Sequence, residues 1–137
     1  MPKQSPIPDE LDKPFYDALN QDRLVIQNCK ACNRLQHPPM PTCNQCGSAD
    51  QLEWREVSGH GTIYSYGVVY DSPVAVLQAD QPYNVAVIAL DEDPGIKMLS
   101  HLPGNAVDDV PIGAAVQVLF ETTPGTGQKV PEWKIAG

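Results

Sequence analysis

Four cysteines in two C-x-x-C pairs are the residues of this sequence whose types and spacing point most directly to chemistry. The pairs are Cys29/Cys32 and Cys43/Cys46, within NCKACNRLQHPPMPTCNQCGS at residues 28–48. A C-x-x-C pair followed by a small or polar residue forms a tight turn that directs two thiolates to one point. Two such turns supply the four sulfurs of a tetrahedral Zn²⁺ site. The spacing therefore predicts a zinc ribbon with these four cysteines as its ligands.

Four thiolates fill the coordination shell of zinc, so the predicted site is structural and has no position for a reacting water. A rubredoxin-like iron site uses the same four sulfurs, and the spacing leaves iron open. A disulfide requires an oxidising compartment, and a thioredoxin-type C-x-x-C requires a strand–helix context instead of a proline-rich loop. We expect His37, between the two pairs, to be a partly exposed loop histidine and not a ligand.

Catalytic motifs are absent from the sequence. It has three histidines (His37, His60 and His101) and no G-x-S-x-G elbow, no phosphate-binding G-x-x-x-x-G-K-[ST] loop and no H-E-x-x-H pair. Because the predicted metal site uses every cysteine, no thiol nucleophile remains. His60 lies in a glycine-rich turn, and we expect His101 to be a polar residue at a strand edge. We therefore expect no catalytic residue in this chain.

The N-terminal region is predicted to contain a proline-rich arm and one short helix. Apolar residues spaced by three and four indicate an amphipathic helix between about residues 9 and 21. Ser5 or Asp9 suits its N-cap, and Asp12 suits the N-cap of a shorter helix that has Pro14 in its first turn.

The remaining sequence predicts short strands, because 14 prolines and 10 glycines in 137 residues interrupt it often. Residues 23–27 form a predicted strand before the first cysteine pair. Five or six strands follow the second pair, in LEWREV, GTIYSYGVVY, YNVAVIALD, IKMLSHL, AAVQVLFE and VPEWKI. We expect these strands to form a small antiparallel barrel, with an irregular loop at residues 77–82.

The charge is distributed unevenly. Residues 1–46 hold five Lys and Arg and five Asp and Glu, so residues 47–137 carry the whole net charge of −8. Nucleic-acid binding depends on basic residues that neutralise phosphates, and an acidic barrel disfavours it. No apolar run reaches the roughly 20 residues of a membrane-spanning helix, and the N-terminus lacks a secretory apolar segment. We expect a cytoplasmic protein with reduced thiols.

Several motifs together resemble the zinc-ribbon/OB-fold family associated with acyl-CoA enzymes. They run in the order PFYDAL, C-x-x-C, PPMPTCNQCGS, WREVSGHGTIYSYGVVY, PYNVAVIALDE, IKMLSHL and DDVPIGAAVQVLFE, from about Phe15 to Glu121. Met40 takes a place where the family often has Arg, and Trp133 lies in a tail where a Phe-containing segment is common. Loss of that Arg weakens any prediction of phosphate binding near the ribbon.

The resemblance implies a mainly β fold. Its expected parts are an arm and helix over residues 1–22, a rubredoxin-like zinc ribbon over residues 23–50 and an OB-fold barrel over residues 51–137. It also implies a non-catalytic accessory subunit, in a hetero-oligomer with a thiolase-like enzyme: a thiolase, an acyltransferase or a lipid-transfer-protein-type aldolase. Family members are expected to stabilise that partner and to help bind or channel the acyl-CoA thioester.

Three alternatives stay open: a subunit of a MaoC-like enoyl-CoA hydratase complex, an OB-fold nucleic-acid binder, and a small acyl-CoA hydrolase. A predicted aromatic face of Tyr64, Tyr66, Tyr70 and Tyr83 suits a partner's surface or a stacked adenine of CoA, because Tyr64 and Tyr66 share one side of their strand. The alternative is that these tyrosines are half-buried barrel residues. The cations available to a phosphate in the barrel half are Arg55, Lys97, Lys129 and Lys134.

Overall fold

The computed structural model describes residues 4–137 as one helix, eight strands and a short 3-10 helix. The elements are α1 (Lys13–Leu19), β1 (Val25–Cys29), β2 (Arg34–Gln36), β3 (Leu52–Glu56), β4 (His60–Val69), the 3-10 helix (Ala75–Asp80), β5 (Tyr83–Leu90), β6 (Lys97–Ser100), β7 (Ala115–Thr122) and β8 (Lys129–Ile135). The 3-10 helix occupies much of the predicted irregular loop. Among the described residues, no helix is long and apolar enough to cross a membrane.

Helix α1 begins immediately after Asp12, which confirms the shortest of the predicted starts. Pro14 lies in the first turn, where its missing N–H removes no helical hydrogen bond. The other two candidate caps have different roles. Asp9 organises the preceding turn by accepting the backbone N–H of Asp12 at 2.9 Å. Ser5 attaches the arm to the β7–β8 turn, donating its hydroxyl to Thr123 Oγ1 at 2.7 Å.

The ribbon contains a three-stranded antiparallel sheet in the order β2-β1-β3. Every residue of β1 is buried, so this strand requires neighbours along both edges. Strand β2 covers three residues of β1, whereas β3 pairs with all five, from Val25 opposite Glu56 to Cys29 opposite Leu52. Strand β3, which we expected in the barrel sheet, thus pairs with the ribbon strand β1 instead. The limits 23–50 and 51–137 for the two parts stay a prediction.

The remaining strands form a five-stranded antiparallel sheet in the order β6-β5-β4-β7-β8. Strand β4 is the longest at 10 residues and pairs with β5 and β7, so the sheet curls around it as an OB-fold half-barrel. The predicted architecture of an N-terminal helix, a zinc ribbon and a C-terminal OB-fold is confirmed.

One continuous apolar core joins the helix, the ribbon and the barrel. Leu19 of α1, Ile26 of β1 and Ile88 of β5 are all completely buried. Trp133 of β8 has 0% exposure and is the largest fully buried side chain. Because these residues belong to one cluster, the ribbon packs firmly on the barrel.

Candidate metal centre

Two matching turns bring the four cysteines together. In each turn, the residue after the second cysteine has a left-handed backbone conformation: Asn33 with φ 51° and Gly47 with φ 75°. Asparagine and glycine adopt this conformation at the lowest cost, which explains the residue types at these two positions. Each turn reverses the chain so that both sulfurs of the pair face the same point.

The four Sγ atoms all lie within 4.8 Å of one another. Cys29 and Cys46 Sγ are 3.8 Å apart, and Cys32 and Cys43 Sγ are 4.0 Å apart. A tetrahedron with metal–sulfur bonds of about 2.3 Å has edges of about 3.8 Å. The donor set and spacing therefore fit a structural metal ion. In residues 4–137 no other cluster of three or more Cys, His, Asp or Glu side chains fits a metal ion.

The environments of the thiols differ. Backbone N–H groups of Cys46 and Gln45 lower the pKa of Cys43 to about 6. Hydrogen bonding with Cys46 and burial raise the pKa of Cys32 to about 12. Four thiolates this close repel one another, so they ionise together only when a cation is present. A bound Zn²⁺ or iron ion supplies that charge and holds all four in the thiolate form.

A buried pair of glutamines holds the second turn against the ribbon sheet. Gln27 and Gln36 face each other across β1 and β2, and Gln36 Nε2 donates to Gln27 Oε1 at 2.6 Å. Gln36 also donates to Thr42 O at 3.1 Å and accepts the Asn44 N–H at 3.0 Å. Gln27 donates to the carbonyl and accepts the N–H of Met40. Two amide side chains thus hold Met40 and Thr42 before Cys43, and Asn44 after it.

Sequence reasoning missed this pair. A signal was present in the two glutamines on either side of the first cysteine pair, but glutamine is ordinarily a surface residue. Two basic residues follow the cysteines of the first pair. Arg34 lies at the second turn, where its Nη1 donates to Gln45 Oε1 at 2.7 Å. Lys30 is exposed.

The histidines lie apart from the cysteine cluster. His37 is partly exposed, as predicted, and its ring centroid is 5.6 Å from that of Phe15. Burial lowers the pKa of His37 below its usual range. His60 is exposed at the start of β4. His101 differs from the prediction of a simple strand-edge residue, because its Nδ1 pairs with the carboxylate of Glu132, which has 1% exposure.

The predicted aromatic face does not form. A β-bulge between Ile63 and Ser65 interrupts the alternation of β4. Tyr64 is consequently 61% exposed, whereas Tyr66 packs against the core and donates its hydroxyl to Asp108 O at 3.0 Å. Tyr83 is buried on β5. The expectation that Tyr64 and Tyr66 share one side of the strand is therefore wrong.

Comparison with known proteins places this arrangement in a family. Family models match residues 17–53 as the ChsH2 rubredoxin-like zinc ribbon domain and residues 54–121 as the ChsH2 C-terminal OB-fold domain. A DUF35 domain-containing scaffold protein of Methanocaldococcus jannaschii is 30% identical over 97 residues, which are 71% of this chain and 67% of that protein. The chain belongs to the DUF35 family. The resemblance noted in the sequence is thereby confirmed.

Two solved structures resemble this DUF35 chain. A chain of the Ltp2–ChsH2(DUF35) aldolase is 33% identical, with a TM-score of 0.83 over 97% of this chain and 100% of that chain. A DUF35 protein of unknown function from Sulfolobus solfataricus is 22% identical, with a TM-score of 0.63 over 93% and 86% of the two chains, and shows the shared fold.

A longer relative is the probable enoyl-CoA hydratase alpha subunit of Thermomonospora curvata. It is 41% identical to this chain over 102 residues. The matched region is 74% of this chain and 30% of the relative, so the chain spans under a third of that protein.

Proposed function

We propose that this DUF35 chain is a non-catalytic accessory subunit that binds and stabilises an aldolase or another thiolase-like enzyme acting on acyl-CoA. The observation that carries the proposal is the similarity, along the whole of both chains, to a chain of the Ltp2–ChsH2(DUF35) aldolase. The name of the Methanocaldococcus jannaschii relative, a scaffold protein, supports the same role. A further role in binding or channelling the CoA thioester is part of this proposal.

We also propose that Cys29, Cys32, Cys43 and Cys46 hold one structural Zn²⁺, with iron as the alternative metal. The sulfur–sulfur distances support four-coordinate binding. Because the cysteines fill the coordination shell, the metal would stabilise the ribbon and not react with substrate. The Gln27–Gln36 pair would then orient the second cysteine turn around the metal.

The charges of the barrel half support a protein partner over nucleic acid. Two of its four basic side chains already have partners: Lys129 Nζ lies 2.6 Å from Asp22 Oδ1, and Lys97 Nζ lies 4.5 Å from the centroid of the Tyr64 ring. A net charge of −8 opposes the approach of a polyphosphate chain. An enzyme subunit with a basic contact surface would meet no such repulsion.

The experiment is co-expression with tagged aldolase and thiolase-like subunits from the same genome. We expect one of them to co-purify with this chain at fixed stoichiometry in size-exclusion chromatography with light scattering. We also expect the complex to turn over its acyl-CoA substrate faster than the enzyme subunit alone. A monomeric chain that leaves the activity and solubility of every such subunit unchanged would refute the proposal.

A second candidate partner is a MaoC-like enoyl-CoA hydratase. The identity of 41% to the probable enoyl-CoA hydratase alpha subunit favours it. Co-expression with hydratase subunits distinguishes this partner from an aldolase or another thiolase-like enzyme. A complex with hydratase activity, and none with an aldolase or thiolase-like subunit, would assign this chain to hydration chemistry.

A further inference from the structure

His101 and Glu132 form a buried pair at the place where β6 and β8 meet. His101 follows the last residue of β6, and its Nδ1 pairs with the carboxylate of Glu132 on β8. The side chain of Glu132 is 1% exposed and that of His101 is 12% exposed. A carboxylate this far from water is costly to bury unless it has a hydrogen-bonding partner. The pair therefore fixes the orientation of the imidazole ring.

Two other contacts already close the barrel at this place. Trp133 N–H donates to the backbone oxygen of His101 at 3.0 Å. The hydroxyl of Ser100 donates to Pro131 O at 2.6 Å. A buried pair of ionisable side chains contributes little net stability, because removing both groups from water costs about as much as their attraction returns. Barrel closure therefore does not account for a buried carboxylate held against a histidine.

The second ring nitrogen of His101 is available to a ligand. Glu132 occupies Nδ1, whereas Nε2 makes no hydrogen bond within residues 4–137. Nε2 is also absent from the described side-chain atoms that are closed off from solvent without a partner. This nitrogen therefore reaches solvent, although the ring around it is largely buried. In metal and catalytic sites a carboxylate orients a histidine in the same way, so that its other nitrogen can act.

His101 lines a cavity, here called the His101 cavity, with a volume of about 220 Å³. It lies between the start of β5 and the segment that follows β6, and its other polar side chains are Asp80, Tyr83 and Asn105. None of these three side chains makes a hydrogen bond within the part of the chain that the structure describes. Two prolines and a valine complete the lining. A few polar groups without protein partners, set among apolar ones, are typical of a small-molecule site.

The charges and hydrogen-bonding groups of the His101 cavity favour an uncharged hydroxyl compound. The described lining residues include no Lys or Arg, and Asp80 is their one acidic residue. A phosphate or carboxylate would therefore meet a like charge and no basic side chain. The Asp80 carboxylate only accepts hydrogen bonds, whereas the side chains of Tyr83 and Asn105 both donate and accept. A hydroxyl group pairs with all three, and a carbonyl oxygen has no proton for Asp80.

We propose that the His101 cavity binds a small uncharged molecule, or the uncharged end of a larger one, through a hydroxyl group that hydrogen-bonds His101 Nε2. Polar side chains of the lining bind the other polar atoms of this ligand, and Glu132 is the positioning residue that holds the ring. The site goes beyond the proposed accessory role. All of its residues belong to this chain, so the chain binds the hydroxyl compound without an enzyme subunit.

Four small probes of similar shape test the ligand class on the full-length protein. We expect ethyl lactate at millimolar concentration to shift the backbone amide resonances of residues 101–107. Ethyl isobutyrate, which has a methyl group in place of the hydroxyl, and the lactate anion should leave them unchanged. No shift with ethyl lactate, or an equal shift with ethyl isobutyrate, would overturn the inference. A larger shift with protonated ethyl alaninate would overturn the hydroxyl assignment in favour of a cation.

The decisive variant is His101→Asn, because the asparagine amide nitrogen takes the place of Nδ1, keeps a donor for Glu132 and removes Nε2. We expect this variant to melt near the wild-type temperature and to bind ethyl lactate about tenfold more weakly. Asn105→Ala, which loses no hydrogen bond within the described residues, should also weaken binding without changing the melting temperature. His60→Asn, at an exposed histidine outside the cavity, is the matched control and should change affinity less than about twofold. Wild-type affinity in both cavity variants would overturn the inference.

The role of Glu132 has its own spectroscopic test. Glu132→Gln keeps the shape of the side chain and removes its charge. We expect the ring ¹⁵N resonances of His101 to move in this variant, and those of His37 and His60 to stay in place as internal controls. An unmoved His101 signal would contradict the assignment of Glu132 as the group that holds the ring.

The outcomes separate this site from the proposed function. Cavity variants that lose ethyl lactate but bind the enzyme subunit as the wild type does would support a ligand site separate from the subunit interface. Cavity variants that lose the enzyme subunit, in a protein that binds no ethyl lactate, would make the cavity part of the subunit interface and overturn the ligand site. Failure of every enzyme subunit to bind would refute the accessory role and leave the ligand site standing.

Discussion

Replacement of Gln36 by methionine should loosen both the ribbon and its metal. Gln36 is 4% exposed and makes three hydrogen bonds, to Gln27 Oε1, Thr42 O and Asn44 N. Methionine has a similar shape and volume, so the substitution removes these bonds without opening a large cavity. The carbonyl of Thr42 and the N–H of Asn44 would then lose the side-chain partner that they have in the structure.

The expected loss follows from the number of bonds. At about 1 kcal/mol net for each, Gln36→Met should lower the free energy of unfolding by about 3 kcal/mol. With a urea m-value of about 1–3 kcal/mol per molar, the unfolding midpoint should fall by roughly 1–3 M. Loss of a residue that orients metal ligands commonly lowers metal affinity by about 10–100-fold. Both effects arise because the Cys43 turn is no longer fixed to β2.

Urea unfolding followed by circular dichroism measures the first effect, and zinc transfer to a competing chelator measures the second. Gln45→Met is the matched control, since the Gln45 side chain bonds Arg34 at the surface and its backbone N–H remains available to Cys43. We expect the control to change stability by less than about 0.5 kcal/mol. Wild-type metal affinity and stability in Gln36→Met would refute the reasoning that the glutamine pair organises the site.

Three further predictions concern the shared core, a glycine of β4 packed against β5, and His37. In a Trp54→Phe variant, Trp133 is the only tryptophan left. Removal of the metal with a chelator should shift the fluorescence of this buried Trp133 to longer wavelength, because the ribbon and the barrel share one core. Unchanged emission would show that the two parts unfold independently. Gly61→Ala should destabilise the protein by about 1–3 kcal/mol in urea unfolding, since its Cβ would lie 2.6 Å from a backbone oxygen of β5; the control Gly67→Ala, with no atom within 4 Å, should cost under about 1 kcal/mol. Burial lowers the pKa of His37 in the folded protein, so the unfolded chain binds a proton on this ring more tightly than the folded chain does. The contribution of His37 to the free energy of unfolding should therefore be fully present above about pH 6.5 and decrease as the pH falls below it. His37→Asn should reduce that fall in melting temperature between pH 7 and 5, and an equal pH dependence in both proteins would contradict the assignment.

The cysteine cluster was predictable because its information is local. Two C-x-x-C pairs within 18 residues predict a cluster of four thiols without reference to the rest of the chain, and the structure brings their sulfurs together. The start of helix α1 was predictable for the same reason, since Asp12 and Pro14 are adjacent to it. Short-range rules on turns and caps decide both features.

Sequence patterns failed where sheet pairing decided the outcome. Alternation identified LEWREV as a strand but carried no information on its partner strand, which is the buried ribbon strand β1. The expected tyrosine face failed because one bulge changes which residues of β4 face the core. Gln27 and Gln36 face each other only because of the register of β1 and β2, and residue types alone do not give that register.

The sequence by itself determined the cluster of four cysteines, the mainly β composition and the acidic charge of the barrel half, because each depends on residue types and short spacings. Tertiary structure alone decided that Leu99 and Pro131 lie beside the same cavity. These residues are on strands separated by a third, and their outward directions follow from the hydrogen-bond alternation of the sheet. Each residue type is visible in the sequence, but the cavity that the two residues line exists only once the barrel has curled.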